Sequence, residues 1–547
     1  MADQLQEQNP TAEPTSEQVS QVIDIKEVKP DFVPLTASSS TRVLGLDAVR
    51  GFALLGILML NIVDFAWPNQ AYDSVRALYY VPESIGSLPD KNVDEAKKKD
   101  KDEWKWLESP KPDLKRAYPG GQVRVAAVNS AWDTAEWAWA NVFFANKMRT
   151  LFCIMFGAGM IYLTDRTKTN SWRHVWLYYR RMFFLLLIGA VHAYLIWHGD
   201  ILFLYAGVGL YLYPFKRLSA KKLAWVSFGL FLFFVSLIWV GAGVVHHIRT
   251  QGRSIEQSVL STSDKLLKSN DLEENSKTSP VDARRQSRVA AIDQLELVKR
   301  LTLQAYRSMS RRDIAQQPEE LTRDIRLYRD GTYFSQVKDR AGEVVWMHVS
   351  VLTPLSLLFI GWLMILGMSL AKTGFFAGDW NVETYRFFAF RLLPLGWVIE
   401  AILTLSRSFS SRESIISMVV VMPLQQVVIP LISLGYASAI ILAIRYDRVQ
   451  AITGRLANVG RMALSNYLAQ SVICTFLFYS FGLGLFGSMP RVWLVVVVLS
   501  VWAVELWWSP RWLAKHPFGP VEWLWRSLTY LKIQSWNKPA SSEPNIV

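Results

Sequence analysis

Runs of apolar residues recur along the chain, and each is about as long as a lipid bilayer is thick. A helix needs about 20 mostly apolar residues to cross the hydrocarbon core. The sequence contains ten predicted spans, at residues 49–67, 141–164, 183–197, 201–213, 223–245, 346–370, 387–405, 415–444, 462–486 and 492–508. It therefore predicts an all-α fold, a polytopic membrane bundle of about ten transmembrane helices.

Composition supports a membrane location over a soluble one. The chain contains 23 Trp, and Trp collects at membrane–water interfaces. The net charge of +13 does not indicate a nucleic-acid partner, because the Lys and Arg residues lie between apolar runs and form no nucleic-acid motif. Basic loops against anionic lipid explain the excess, so membrane lipid is the expected partner. No metal-ligand spacing occurs, and no metal is expected.

The distribution of Lys and Arg among short loops predicts the orientation. The loops after spans two, four and eight are rich in both residue types, whereas residues 198–200 contain neither and residues 406–414 contain only two. Basic loops stay on the cytoplasmic side. Both termini are therefore predicted to be cytoplasmic.

Five regions follow from this topology. Residues 1–41 lack an apolar signal region and are predicted to be a disordered cytoplasmic tail. The other regions are a membrane half at 42–245 with an extracytoplasmic loop at 68–132, an extracytoplasmic insertion at 246–345, a second membrane half at 346–508 and a cytoplasmic amphipathic tail at 509–547.

His192 in the third span is the main candidate for chemistry. Ionisable residues inside a membrane are costly, so each is a functional hypothesis. A histidine can exchange a proton near neutral pH, although packing is the alternative role. Asp200 opens the fourth span and could orient the imidazole or cap the helix that follows. These two roles of Asp200 are compatible.

The first span offers polar residues at two depths. Asp47 and Arg50 are one helical turn apart and can pair. Arg50 either anchors the helix at the interface or binds a phosphorylated or thioester donor from the cytosol. Asn61 lies three turns deeper, where its amide could stabilise an oxyanion.

Charged residues also occur in later spans. Lys147 and Arg149, in the outer part of span two, either line a polar cavity or extend outward to the interface, and we favour the cavity. Glu400 and Glu505 are interpreted as structural residues that pair with Arg391 or with an inner cation.

Several segments resemble one family. Residues 42–57, 147–159, 189–205, 460–467 and 519–526 resemble the YeiB-like bacterial membrane proteins, whose C-terminal half is catalogued as a domain of unknown function (DUF418). The resemblance extends from Arg42 to Leu531. It implies a multi-pass protein of the bacterial inner membrane.

The family is similar to transmembrane acyltransferases, namely the acyltransferase-3 proteins and the heparan glucosaminide acetyltransferase. The resemblance implies an acyl-CoA donor such as acetyl-CoA, held between helices with Arg50 and Arg461 neutralising its phosphates. The implied acceptor is an extracytoplasmic sugar or envelope glycan. Acyltransferase-3 proteins have a catalytic histidine eleven residues after an arginine. Here that position is Asn61, which cannot act as a base, so His192 becomes the candidate.

The acyltransferase hypothesis also assigns residues to the substrate site. Lys147, Arg149 and Tyr205 are predicted to contact the substrate, and Lys147 and Arg149 share with Asn61 the stabilisation of negative charge. Two other functions stay open. One is a transporter or channel with a helix broken at Pro423 and Pro430. The other is a non-catalytic envelope scaffold.

Overall fold

The structure, a computed structural model, describes residues 44–68, 131–164, 172–269, 280–314, 318–351, 353, 357–409, 416–445 and 449–538. All of them belong to the unit Leu35–Val547. Their regular secondary structure is entirely helical, which confirms the predicted all-α class. The predicted tail at 1–41, all but the ends of the predicted loop at 68–132 and the last nine residues lie outside the described residues.

The described residues form eighteen α-helices, and ten of these lie in the first half of the chain. They are α1 (Leu44–Ala66), α2 (Ala131–Phe143), α3 (Lys147–Thr164), α4 (Trp172–Val191), α5 (Leu202–Leu212), α6 (Ala220–Ser269), α7 (Pro280–Asp293), α8 (Leu297–Ile314), α9 (Pro318–Asp330) and α10 (Tyr333–Val351). A π-helical turn, His192–Ile196, extends α4.

The second half forms eight more. They are α11 (Trp362–Lys372), α12 (Val382–Phe387), α13 (Leu393–Phe409), α14 (Met422–Ile444), α15 (Gln450–Arg461), α16 (Ala463–Phe478), α17 (Arg491–Lys515) and α18 (Pro520–Tyr530). Further π-helical turns precede α11, α13 and α14, at Leu357–Gly361, Phe388–Leu392 and Ser417–Val421.

Within the part of the chain that the structure describes, six helical segments are long and apolar enough to cross a membrane. They are Leu44–Ala66, Trp172–Ile196, Ala220–Leu266, Val382–Ser406, Ser417–Ile444 and Arg491–Lys515, and two shorter apolar helices are Leu358–Lys372 and Ala463–Phe478. A polytopic helical membrane protein is therefore confirmed. The count of ten spans and the cytoplasmic termini stay predictions.

Two predicted spans are not single helices. The second divides at Asn146, whose φ of 61° is incompatible with a continuous right-handed helix, so the membrane helix begins at Lys147. The sixth divides after Val351, where α10 ends. Pro354 follows in the sequence, and the residues before a proline disfavour helical geometry.

Proline does not interrupt two other helices. Pro430 lies inside α14 and Pro510 lies inside α17. The helix break expected near Pro430 is absent from this described segment, and α17 continues through Pro510 to Lys515. Neighbouring helices and side chains can compensate for the missing proline N–H in a membrane helix.

The first helix is at the centre of the bundle. In its apolar window 83% of the residues are buried, against 11% for α6. It packs on α15 through glycines, because a Cβ on Gly51 would lie 2.0 Å from the Leu456 carbonyl oxygen and one on Gly460 1.9 Å from that of Asp47. Small residues allow such close approach between membrane helices. The contact brings Arg50 near the end of α15.

A second glycine contact joins α3 to α11. A Cβ on Gly157 would lie 1.8 Å from the Met364 carbonyl oxygen, and one on Gly367 would lie 2.0 Å from that of Ile154. In turn α11 packs on α6. The far end of α6, beyond the apolar window, packs against α7 and α8 through Val259 and its neighbours.

Candidate functional site

A buried histidine–aspartate pair lies where α4 ends. The His192 side chain is 1% exposed, and its Nδ1 is 2.8 Å from Asp200 Oδ1. The other carboxylate oxygen accepts a hydrogen bond of 2.6 Å from the backbone N–H of Phe203, in the first turn of α5. Asp200 therefore contacts the imidazole and also accepts a hydrogen bond from the first turn of α5, one residue before the N-cap position, Ile201.

Gly189 makes this pairing possible. A Cβ at this position would lie 2.4 Å from the Phe203 backbone nitrogen and 2.9 Å from Asp200 Oδ2. Only a residue without a side chain lets α4 and α5 approach this closely. His192 follows one turn later on α4, so the close approach brings Asp200 within reach of its ring.

The second imidazole nitrogen is free to act. Among the described residues His192 Nε2 has no hydrogen-bond partner. The Tyr467 ring packs against the imidazole, with 5.1 Å between centroids. Its hydroxyl donates to the Gly199 carbonyl oxygen and accepts from the Ile201 N–H, both at 3.3 Å. Tyr467 therefore covers His192 and holds the turn that carries Asp200.

A cavity of about 220 Å³ is lined in part by Tyr467. Its wall is mostly apolar, with Phe152, Phe156 and other side chains of α3, α4 and α5. The polar members of the wall are Arg50, Arg181, Tyr205, Arg461, Tyr467, Glu522 and Arg526. His192 itself is not in the wall, and Tyr467 contacts both the cavity and the imidazole.

Four arginines make the cavity wall strongly basic. They come from α1, α4, α15 and α18, and a single carboxyl group, that of Glu522, accompanies them. Guanidinium groups bind phosphate and carboxylate oxygens in a bidentate fork. The wall therefore suits an anionic ligand, as predicted for Arg50 and Arg461.

Neighbouring side chains hold these guanidinium groups in place. Arg50 Nη1 is 2.9 Å from Asp47 Oδ1. The Arg181 guanidinium carbon lies 4.0 Å from the centre of the Trp525 ring, and that of Arg526 lies 4.2 Å from the centre of a phenylalanine ring. Cation–π contacts fix the position of an arginine without neutralising its charge.

Glu522 joins α18 to the start of α16. Its carboxylate accepts hydrogen bonds from the backbone N–H groups of Leu464 at 2.8 Å and Ser465 at 3.2 Å, and from the Ser465 hydroxyl. A carboxylate is favourable at a helix N-terminus. Burial nevertheless raises the pKa of Glu522 above its ordinary value.

Tyr205, a predicted substrate contact, lies in the cavity wall. Its hydroxyl is 3.3 Å from the Arg149 carbonyl oxygen and 3.3 Å from the Cys153 sulfur. The backbone of Arg149 thus reaches this region, but its side chain is exposed and hydrogen-bonds Asn146 at 2.9 Å.

Lys147 neither lines this cavity nor extends to the interface. It is fully buried and forms a 3.2 Å ion pair with Glu400, which also accepts a 2.8 Å hydrogen bond from Gln425. The partner expected for Glu400 was Arg391 or an inner cation, and the structure gives it Lys147 instead. The pair joins α3 to α13.

Asn61 lies on α1 eleven residues after Arg50, about 16 Å further along the helix axis. It is half-buried and outside the cavity wall. One turn later, Asp64 is 3.3 Å from His198 Nε2. That contact ties the end of α1 to the turn before Asp200.

Sequence reasoning did not assign Tyr467, Arg181, Glu522 or Arg526 to the site. Three of them belong to the segments 460–467 and 519–526. Arg181 was assigned from the sequence to the basic loop after span two, whereas it lies on α4. The sequence signal for Tyr467, Glu522 and Arg526 was their position within these two motifs. Only the packing of distant helices shows that they line one cavity.

Comparison with known proteins agrees with the resemblance. The family described as protein of unknown function (DUF418) matches residues 370–532. YxaH of Bacillus subtilis is 26% identical over 504 residues, 91% of this chain and 96% of YxaH. YeiB of Escherichia coli is 27% identical over 502 residues, 89% of this chain and 96% of YeiB. Both are described as uncharacterized. No solved structure matches the chain. The chain is therefore homologous to YeiB and YxaH over most of its length, with a DUF418 region at residues 370–532, which confirms the predicted resemblance to the YeiB-like proteins.

Proposed function

We propose that the protein is a membrane-embedded acyltransferase. It would move an acyl group from cytosolic acyl-CoA, such as acetyl-CoA, to an extracytoplasmic sugar or envelope glycan. One observation supports this most directly: a single side chain, Tyr467, both lines the arginine-rich cavity and packs against the imidazole of the His192–Asp200 pair.

The cavity has the chemistry of a donor site. Its four guanidinium groups suit the phosphates of coenzyme A, and its apolar wall suits an acyl chain and pantetheine arm. Ligand pockets usually enclose about 300–1,000 Å³, so a volume of about 220 Å³ would hold only part of the donor. The nucleotide would remain at the basic mouth, which the Lys and Arg bias of the loops predicts to be cytoplasmic.

His192 would serve as the general base. With Nδ1–H donated to Asp200, Nε2 is the free acceptor nitrogen. It would take the proton of an acceptor hydroxyl or amine while that group attacks the thioester carbonyl. The carbon–sulfur bond then breaks, and the thiolate of coenzyme A leaves and takes up a proton. Asp200 stabilises the imidazolium between these steps.

Tyr467 would act as a gate in this reaction. Its ring packs against the imidazole and also lines the cavity, whereas His192 is not in the cavity wall, so a thioester in the cavity would reach Nε2 only after the ring moves. Its two hydroxyl contacts, to Gly199 and Ile201, are both 3.3 Å long, near the upper limit for a hydrogen bond. Because the ring is buried, entry of the donor would have to break both contacts.

The proposal is tested with purified protein in nanodiscs. We expect acetyl-CoA to bind and to be turned over, and His192→Gln to reduce turnover about 10²–10⁴-fold while leaving acetyl-CoA affinity nearly unchanged. Arg461→Gln should weaken affinity. The matched control is Arg511→Gln, because that arginine packs on Trp507 outside the cavity. A wild-type protein that binds no acyl-CoA would rule out the proposal.

The transport alternative has less support. It rests on intramembrane charges that would line a solute path, with Pro423 and Pro430 marking a broken helix there. Because α14 runs through Pro430 to Ile444, only the argument from the prolines is lost. Broken helices supply the ion and substrate sites of many transporters. Acyl transfer is therefore the function we carry forward.

A further inference from the structure

A second group of buried polar side chains lies beyond His192, on α10. Arg340 is 1% exposed, and its Nη2 is 3.4 Å from the carbonyl oxygens of Tyr194 and Leu195 in the π-helical turn. The carbonyls at the end of a helix have no partner within it, so a cation there is favourable. Arg340 thus reaches the same turn that begins with His192.

Among the residues that the structure describes, no carboxylate pairs with Arg340, and its Nε and Nη1 have no hydrogen-bond partner. A guanidinium group does not lose its proton in proteins, and a buried charge without a counter-ion is unfavourable. An oxyanion on these donors would provide the missing charge and hydrogen bonds.

A neighbour on α10 also has an unsatisfied atom. Gln336, one turn before Arg340, is fully buried, and among the described residues its Oε1 has no hydrogen-bond partner. An amide oxygen accepts from a hydroxyl. The group therefore suits a ligand that has hydroxyls as well as an oxyanion.

The position of this group relative to the cavity is set by α4. Arg181 and Leu185 of that helix line the arginine cavity. His192 follows, about 10 Å after Leu185 along the axis, and the carbonyls that Arg340 contacts come next. The polar group on α10 therefore lies on the far side of His192 from the cavity.

We propose that Arg340 and Gln336 bind an acidic sugar. Its carboxylate or phosphate would lie on the free nitrogens of Arg340, and a hydroxyl would donate to Gln336 Oε1. The identification of this sugar as the acyl acceptor rests on the proposed function, whereas the binding site itself does not.

The test measures binding without any acyl donor, so it is independent of turnover. Purified protein is titrated with glucuronate, and its Tm is recorded against glucose and against sodium chloride of equal ionic strength. We expect glucuronate alone to raise Tm, because binding to the folded state stabilises it. Arg340→Gln should abolish the shift.

Two matched variants locate the effect. Arg181→Gln removes a cation of the arginine cavity and should retain the shift. Arg491→Gln removes another buried arginine, which is 2.8 Å from its partner Glu136, and should lower the starting Tm but also retain the shift. If Arg340→Gln does not fold, Arg340→Lys serves instead. It should weaken glucuronate binding at least tenfold, because a point charge replaces the fork.

Three results would overturn the proposal. The first is no glucuronate shift in the wild-type protein. The second is a shift of equal size in Arg340→Gln. The third is an Arg340-dependent rise of Tm in nanodiscs containing phosphatidylglycerol, over phosphatidylcholine alone, without any glucuronate effect. That result would assign the site to a lipid headgroup.

Discussion

Asp200 uses its two oxygen atoms for different purposes, and the purposes can be separated. One oxygen contacts His192 Nδ1, and the other accepts a hydrogen bond from the Phe203 N–H. We expect Asp200→Ala to lower both Tm and turnover. Asp200→Ser should recover the stability of the cap, about 1 kcal/mol, because its hydroxyl can accept from Phe203, but should not recover turnover. Equal recovery of both would show that Asp200 acts only as a cap. Thermal unfolding and acetyl-CoA turnover are the measurements.

The buried Lys147–Glu400 pair makes a different prediction. Removing one member leaves a buried charge without its partner, which costs about 3–5 kcal/mol. We expect Lys147→Met to destabilise the protein by that amount and the double variant Lys147→Met with Glu400→Gln to regain much of it. The control is Arg149→Met, two residues along and exposed, which should change stability by less than about 0.5 kcal/mol. Chemical unfolding in detergent gives the free energies. A double variant no better than Lys147→Met would contradict the assignment.

Among the helices, the contact between α1 and α15 determines where two of the arginines lie. Gly460 has no room for a Cβ against α1, whereas Gly454 on the same helix has no atom within 4 Å of that position. We expect Gly460→Ala to separate the helices, lower Tm and weaken acyl-CoA binding, because Arg50 and Arg461 move apart. Gly454→Ala should leave both properties unchanged. If the two variants behave alike, the cavity does not depend on this contact.

The link between α18 and α16 makes the stability depend on pH. Burial raises the pKa of the Glu522 carboxyl above its ordinary value of 4.5, in spite of the hydrogen bonds it accepts. A raised pKa means that the folded protein favours the protonated group. The protonated carboxyl therefore stabilises the fold at pH values below its ordinary pKa, and this stabilisation is lost as pH rises through the raised pKa. We expect the Tm of the wild type, measured relative to the Tm of Glu522→Gln, to fall over this rise in pH. A relative Tm that increases with pH would be the opposite of this prediction.

For the molecule as a whole, sequence reasoning predicted architecture better than contacts. The length of each apolar run indicates a membrane helix because the bilayer sets that length. Run length does not reveal breaks such as the one at Asn146, since this depends on backbone geometry. Arg50 and Arg461 were predicted to bind the donor together and Tyr205 to contact the substrate, and the three residues share one cavity wall. Arg340 was not predicted, because nothing local indicates that a residue of the insertion reaches the turn after His192.

The predicted topology can be tested on the intact protein. Both native cysteines are buried, so a single introduced cysteine reports its own side of the membrane. Val298 is 72% exposed on α8, and Lys532 is exposed just after α18. We expect a membrane-impermeant maleimide to label Val298→Cys in intact cells and Lys532→Cys only after permeabilisation. The reverse pattern would place the arginine cavity outside the cell and exclude a cytosolic donor.

The length of α6 has a mechanical consequence. Its 50 residues extend about 75 Å, whereas the hydrocarbon core of a bilayer is about 30 Å thick. Well over half of the helix therefore lies outside the hydrocarbon core. A tilt of about 5° would swing a projecting arm of about 45 Å by roughly 4 Å at its tip. The distal end of α6 packs on α7 and α8, and its other end packs on α11. In turn α11 packs on α3, through Gly157 and Gly367, and α3 lines the cavity. A movement of α7 and α8 would therefore be transmitted through α6 and α11 to the cavity wall.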